Sequence, residues 1–249
     1  MKKRKSAVGL PVIMLLSGIV AMLLRRQLYL TAVDTRGLLL RGTIPEILLL
    51  VLTAAAACIL FLALKKDRGN NSYEDNYPAS IPAALGHVGA ATGILLLVRG
   101  GHPGMTGYLA QLWQILGLAA PVCLILAGIL RSIGKKPFFL LHVVPSLFLL
   151  VHVVGNYQLW SSNPQMQDYL FALLAAISLI LFAHHTAAFE AGLGNRKKIL
   201  AAGLAAVYLC LAELGWTDYP GLYFGGLLWA LTGICAINPA EKESEHGGI

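Results

Sequence analysis

Eight apolar runs, most of them close to 20 residues long, alternate with short stretches that hold nearly all of the charge. They cover residues 8–24, 44–64, 81–98, 109–130, 138–160, 169–188, 199–216 and 222–237. A helix rises about 1.5 Å per residue and a hydrocarbon core is ~30 Å thick, so runs of this length fit a membrane crossing. Only 12% of the residues are charged, against about 25% in an average soluble domain, and mean hydropathy is +0.70. A transmembrane barrel needs alternating segments of about ten residues, whereas these runs are continuous. The expected fold is all-α, a polytopic transmembrane helical bundle of about eight spans. The last two runs are short, so seven spans is the alternative. Residues 1–237 read as one transmembrane domain and 238–249 as a polar, disordered cytoplasmic tail.

The first run begins after a basic hexapeptide, as a secretory signal does. It ends in Arg25-Arg26 without an A-x-A-like cleavage site, which favours an uncleaved helix. With eight spans and both termini inside, 14 lysines and arginines fall on the cytoplasmic side. They are Lys2, Lys3, Arg4, Lys5, Lys65, Lys66, Arg68, Arg131, Lys135, Lys136, Arg196, Lys197, Lys198 and Lys242. Arg25, Arg26, Arg36, Arg41 and Arg99 remain outside, and the positive-inside bias selects this orientation. A formal charge of +7 placed at span ends points to lipid headgroups as partners and away from nucleic acid. The four arginines around the first outer loop then read as lipid-phosphate contacts, with capture of an anionic ligand as the alternative, and the loop as a short hairpin turning at 34–37 or an interfacial segment. Residues 65–80 read as a flexible soluble loop. Tyr108, Trp113, Tyr157, Trp160, Tyr169, Trp216 and Tyr219 gather at the outer interface. Cys58, Cys123, Cys210 and Cys235 lie within spans, form no C-x-x-C pair, and read as packing residues.

Polar groups inside the runs carry the functional expectations, because a hydrocarbon interior offers no water to satisfy them. His87, His142 and the pair His184-His185 lie five to eight residues from the inner ends of three spans. They share a depth of roughly 10 Å. Imidazoles at one level on three helices suit a divalent metal, a proton relay or an anion. The metal reading assigns His87, His142 and His185 as ligands. Its structural alternative has each histidine bonded separately to a neighbouring helix. His184, His152, Asn156 and Glu190 are candidate polar neighbours. Glu190 follows the histidine pair by five and six residues, so it faces another side of the helix and reads as snorkelling to the surface. His152 and Asn156 are one turn apart and read as satisfying each other. His142 and His152 face about 80° apart, which disfavours a bis-histidine haem. Pro121 and Pro145 interrupt their helices, the latter freeing the carbonyl of Leu141 beside His142. Gly86, Gly89, Ala90, Gly93 and the Gly221-x-x-x-Gly225 pair permit close helix contact. Gly100 to Gly104 reads as a turn. No zinc-protease, nucleophile-elbow, P-loop or dinucleotide signature occurs, so an intramembrane enzyme ranks third among the readings.

The stretches LLRRQLYLTAVDTRGLL, YQLWSSNPQMQDYLFALLA and HHTAAFEAGLGNRKK resemble an uncharacterised family of multi-pass membrane proteins of anaerobic, spore-forming Gram-positive bacteria. Where that family shows Trp beside the arginine pair, this chain has Gln27-Leu28-Tyr29. The resemblance implies a bacterial plasma membrane and transfers no activity or site residue. The leading functional class is a transporter or binding component for a small solute or ion, with a histidine-lined cavity. A structural, assembly or sensory subunit working through another membrane protein is the alternative.

The orientation is checked by cysteine accessibility after the four native cysteines are removed. Single cysteines at Asn71 and Lys197 should resist an impermeant thiol reagent in intact cells, and those at Ser162 and Asp218 should react. External labelling at Asn71 would reverse the topology.

Overall fold

The eight apolar runs each form a helix, and a ninth, very short helix forms between two of them. The structure, a computed structural model, describes residues 9–33, 39–65, 67, 69–102, 105–161 and 169–238. In chain order the helices are α1 (Gly9–Thr31), α2 (Ile44–Lys65), α3 (Tyr73–Asn76), α4 (Ile81–Gly100), α5 (Gly107–Ser132), α6 (Leu140–Trp160), α7 (Leu170–Glu190), α8 (Arg196–Leu214) and α9 (Pro220–Cys235). No strand occurs among the described residues. An antiparallel bridge joins Val33 to Leu39 on either side of 34–38. The proposed turn there, Arg36 and the 239–249 tail all lie outside the described residues.

Six helices, α1, α2 and α4 to α7, are long and apolar enough to cross a membrane. This is the architecture of a multi-pass membrane protein. Helix α8 opens on Arg196, Lys197 and Lys198, and α9 has 16 residues, yet both are largely buried by their neighbours. Helix boundaries follow local chemistry. Ser80 caps α4 by accepting from the Ala83 amide, and Asn195 caps α8 by accepting from Lys198. Gly192 takes a φ of 79° and ends α7 just after Glu190, with amides 192 and 193 returning to the carbonyls of Phe189 and Ala188. That stop fixes Glu190 at the helix terminus.

The helices pack as a ring. From α4 to α9 each packs on the next in sequence, and α9 returns to α4. Helix α1 lies outside the ring against α8, and α2 packs on α1 and α8. Closure depends on small residues, as the glycine pattern suggests. A Cβ on Gly225 would stand 2.5 Å from the carbonyl oxygen of Gly89, and Gly93 faces the Gly221 carbonyl as closely. The α4–α9 seam is therefore a backbone-to-backbone contact.

Three surface expectations are corrected. Helix α1 runs through Arg25 and Arg26 to Thr31, and Arg25 turns inward. Its Nη1 lies 2.7 Å from Glu213 Oε2 on α8, and both side chains are 4% exposed. Arg25 also donates to the Trp216 carbonyl and lies over the rings of Phe171 and Tyr29. The lipid contact expected for Arg25 does not hold, because it finds its counter-charge within the protein. The loop expected to be flexible contains α3 and is strapped down. Asn76 accepts from Arg196, whose Nε also lies 3.2 Å from Asp67, and the Asn238 amide donates to the Asn76 carbonyl. Trp113 and Tyr219, assigned to the interfacial belt, point into the ring instead.

Removing one member of a buried pair leaves the other charge uncompensated, so Arg25→Gln should lower stability in micelles by about 3–5 kcal/mol. The apolar double replacement Arg25→Met with Glu213→Leu should recover most of that loss. Thermal unfolding of the three proteins measures both effects.

Candidate functional site

Two polar clusters lie inside the ring, at different levels of α6. The one at the start of α6, called inner after the orientation expected from the charge count, is built from helices that start or stop together. His87 is in the second turn of α4, His142 in the first turn of α6, and Glu190 is the last residue of α7. Helices α4 and α6 are separated by α5 in the ring, so their histidines meet across its interior. His87 Nε2 is 3.0 Å from His142 Nε2, and His142 Nδ1 is 2.9 Å from Glu190 Oε2. His87 Nδ1 is 2.7 Å from the Ala83 carbonyl oxygen. All three side chains are buried, and Trp229 of α9 stacks on His142 and meets His87 edge-on. Pro145 lies buried one turn after His142, and α6 runs on through it as one helix.

His185 is not part of this chain of contacts. It is half-buried and its ring meets that of His184, which is exposed. Five residues separate His185 from Glu190, about 140° around a helix, so α7 presents only one of them to His142. It presents Glu190, which is buried and does not snorkel. Among the described residues no group of three or more His, Cys, Asp or Glu is arranged to hold a metal ion. A divalent-metal site from His87, His142 and His185 is thus not formed in this structure.

Beyond Glu190 the inner end is closed by aromatic and cationic groups. Tyr77 meets Phe189 edge-on, stacks near Tyr73, and carries the Arg131 guanidinium 4.2 Å from its ring centre. Burial raises both tyrosine hydroxyls above their ordinary range, and nearby Arg131 opposes that rise. Both therefore stay protonated at neutral pH.

The outer cluster gathers His152 and Asn156 of α6 with His102, Tyr219 and Trp113. The mutual bond expected for the first pair is present, Asn156 Nδ2 to His152 Nε2 at 3.0 Å. Asn156 Oδ1 accepts from His102 Nε2 at 3.0 Å and from the Tyr219 hydroxyl at 3.3 Å. With Asn156 donating to Nε2, a neutral His152 carries its proton on Nδ1. That atom is buried without a hydrogen-bond partner, as is Trp113 Nε1. The two side chains share neighbours, since His102 and Phe148 pack on both rings. Phe148 and Leu149 fill α6 between the two clusters. His102 and Tyr219 were missed in the sequence because both sit outside the apolar runs, one in a glycine-rich turn and one before a short helix. The signal available was a histidine at a span end, level with His152.

A cavity of about 190 Å³ lies elsewhere, between α1, α2 and the start of α7. Leucines, Tyr29 and Phe171 line it together with Arg25, Arg41 and Glu46, and no histidine reaches it. The hydrogen-bonded clusters, with their unsatisfied buried donors, are the stronger chemical feature. The chain matches no family model, no curated protein and no solved structure.

Partial burial holds the His102 imidazole below the ordinary histidine range, and its bond to Asn156 works against that shift. A group with lowered affinity for protons in the folded state stabilises the fold above its unfolded pKa, near ~6.5 for histidine, and this is lost as pH falls. The thermal midpoint should therefore drop between pH 7 and pH 5 more steeply for the native chain than for His102→Gln. Equal slopes would remove His102 from the outer cluster's energetics.

Proposed function

We propose that the chain is a membrane-embedded carrier or binding component for a small solute, with α6 as the axis of its polar path. The observation that carries this is the buried outer cluster, where His152 Nδ1–H and Trp113 Nε1–H are donors without acceptors. A buried donor left unmade costs about 1–3 kcal/mol, so such groups persist where a ligand or water completes them. Two N–H donors with aromatic walls suit a small molecule bearing an oxygen acceptor, and they do not suit a bare metal cation. The inner cluster lies further along the same helix, toward the end we assign to the cytoplasm together with both termini. The resemblance to the spore-former family favours a bacterial plasma membrane. Eight crossings are the reading we carry forward, with α8 and α9 spanning beside longer neighbours.

A second reading, a structural, assembly or sensory subunit, draws on α2. Only Leu49 and Ala56 of its 22 residues are buried, which leaves a long apolar surface for another membrane subunit or for lipid. Stable co-purification of a second membrane protein would favour it.

The carrier reading is tested with purified protein and a panel of amino acids, carboxylates and sugars. At least one class should raise the thermal midpoint, and His152→Phe, which keeps a ring and removes both nitrogens, should abolish the shift. A shift that survives this replacement unchanged, or none across the panel, would count against the site.

A further inference from the structure

The inner cluster contains more hydrogen bonds than two neutral imidazoles and a carboxylate have protons to fill. Three contacts run in series, from the Ala83 carbonyl through His87 and His142 to Glu190, at 2.7, 3.0 and 2.9 Å. All are hydrogen-bond lengths, and each needs one hydrogen between its heavy atoms. The first acceptor is a backbone carbonyl, which only accepts, so His87 Nδ1 carries a hydrogen. If His87 is neutral, its Nε2 accepts, and His142 Nε2 must donate. His142 Nδ1 and Glu190 Oε2 then share one further proton, either as imidazolium with carboxylate or as imidazole with carboxylic acid. If His87 is the cation instead, His142 donates from Nδ1 to the carboxylate. Every arrangement that fills the three contacts holds three protons. Neutral His87 and His142 supply two, and ionised Glu190 supplies none.

We infer that His87, His142 and Glu190 form a proton-binding site, occupied by one proton beyond those of two neutral imidazoles and a carboxylate. The inference rests on the carrier reading only for its consequence, and the proton count stands on geometry alone. The occupied site is electrically neutral, which suits complete burial among α4, α6, α7 and Trp229. The groups facing it make the balance explicit. From α5, Arg131 lies within electrostatic reach of His87. Tyr73 and Tyr77 lie within reach of Glu190, and Arg196 of α8 acts on Tyr77. Lys136 lies over the Tyr73 ring, further out. Helix α9 contributes Trp229, which has no charge. Glu190 Oε1 is buried with no hydrogen-bond partner among the described residues, so His142 is the group that answers its charge at contact distance.

Loss of the proton has a defined mechanical result. Only two hydrogens remain for three contacts, and one contact becomes lone pair against lone pair. The contact that then opens lies between α4 and α6 across the ring, between α6 and α7 at its edge, or between the His87 ring and the Ala83 carbonyl. Binding and release of this proton are thereby coupled to the packing at the inner end of the ring, and on the carrier reading this supplies the carrier with a proton-driven change there.

Glu190→Gln separates the alternatives, because a glutamine amide donates to His142 Nδ1 and fills all three contacts without an exchangeable charge. Native protein and Glu190→Gln are unfolded by dodecyl sulfate in unbuffered solution at pH 7.5, and proton release is read with an indicator dye. In the unfolded chain Glu190 is ionised and the histidines largely neutral, from reference values near ~4.3 and ~6.5. Native protein should release close to one proton more per chain than Glu190→Gln, and equal release would overturn the inference. Should the variant fail to fold, the native protein decides alone. Histidine ¹⁵N spectra with the carboxylic-acid infrared band should account for three protons on the trio, and two would overturn it. Neither experiment contains a solute, so a failed thermal-shift panel beside a confirmed proton would reject the carrier reading alone.

Discussion

Backbone contact between α4 and α9 is the constraint on which the interior depends. Lipid offers no hydrophobic drive for helices to associate, so van der Waals fit and polar contacts must hold the ring closed. Gly89 and Gly93 on one side and Gly221 and Gly225 on the other let the two axes approach until carbonyls face glycine carbons. That approach brings Trp229 over His87 and His142 and carries His87 inward to meet a partner two helices away. A larger side chain in the seam has no room, so α4 and α9 would have to part and the placement of His87 and Trp229 would change with them.

Burial then sets the chemistry. Three buried charged groups are each answered by a specific partner: Glu190 by His142, Glu213 by Arg25, Arg131 by the face of Tyr77. Lipid-facing surfaces carry almost none of this. The exposed residues of α2, for instance, are leucine, valine, isoleucine, alanine and phenylalanine along most of its length. The division follows from the cost of leaving a charge in hydrocarbon, and it turns polar residues into markers of the interior.

Much of this was legible in the sequence, and the misses have one physical origin. Every apolar run became a helix, the glycine pattern located the closing seam, and the common depth of His87 and His142 placed them at one level. Depth is readable because rise per residue is fixed. Direction around the axis is harder, because it depends on which neighbour a helix meets, and that is a tertiary fact. Hence His185 was preferred to Glu190, and Arg25 was sent to lipid. The loop before α4 was misjudged for a related reason. Its asparagines and tyrosines read as solvated, yet Tyr73, Asn76 and Tyr77 are buried because α5, α7 and α8 end there and offer Arg131, Phe189 and Arg196.

The place of α1 outside the ring bears on how the chain is made. Arg25 leaves the ribosome early, whereas Glu213 and the carbonyl of Trp216, 191 residues beyond Arg25, come last among its partners. At ~5–20 residues per second that gap is roughly 10 to 40 s. Throughout it the first helix holds a guanidinium with no counter-ion, a state tolerated at the bilayer edge and costly further in. The buried ion pair of α1 can therefore form only once α8 has been made, so the final seat of an early helix is set by a late one.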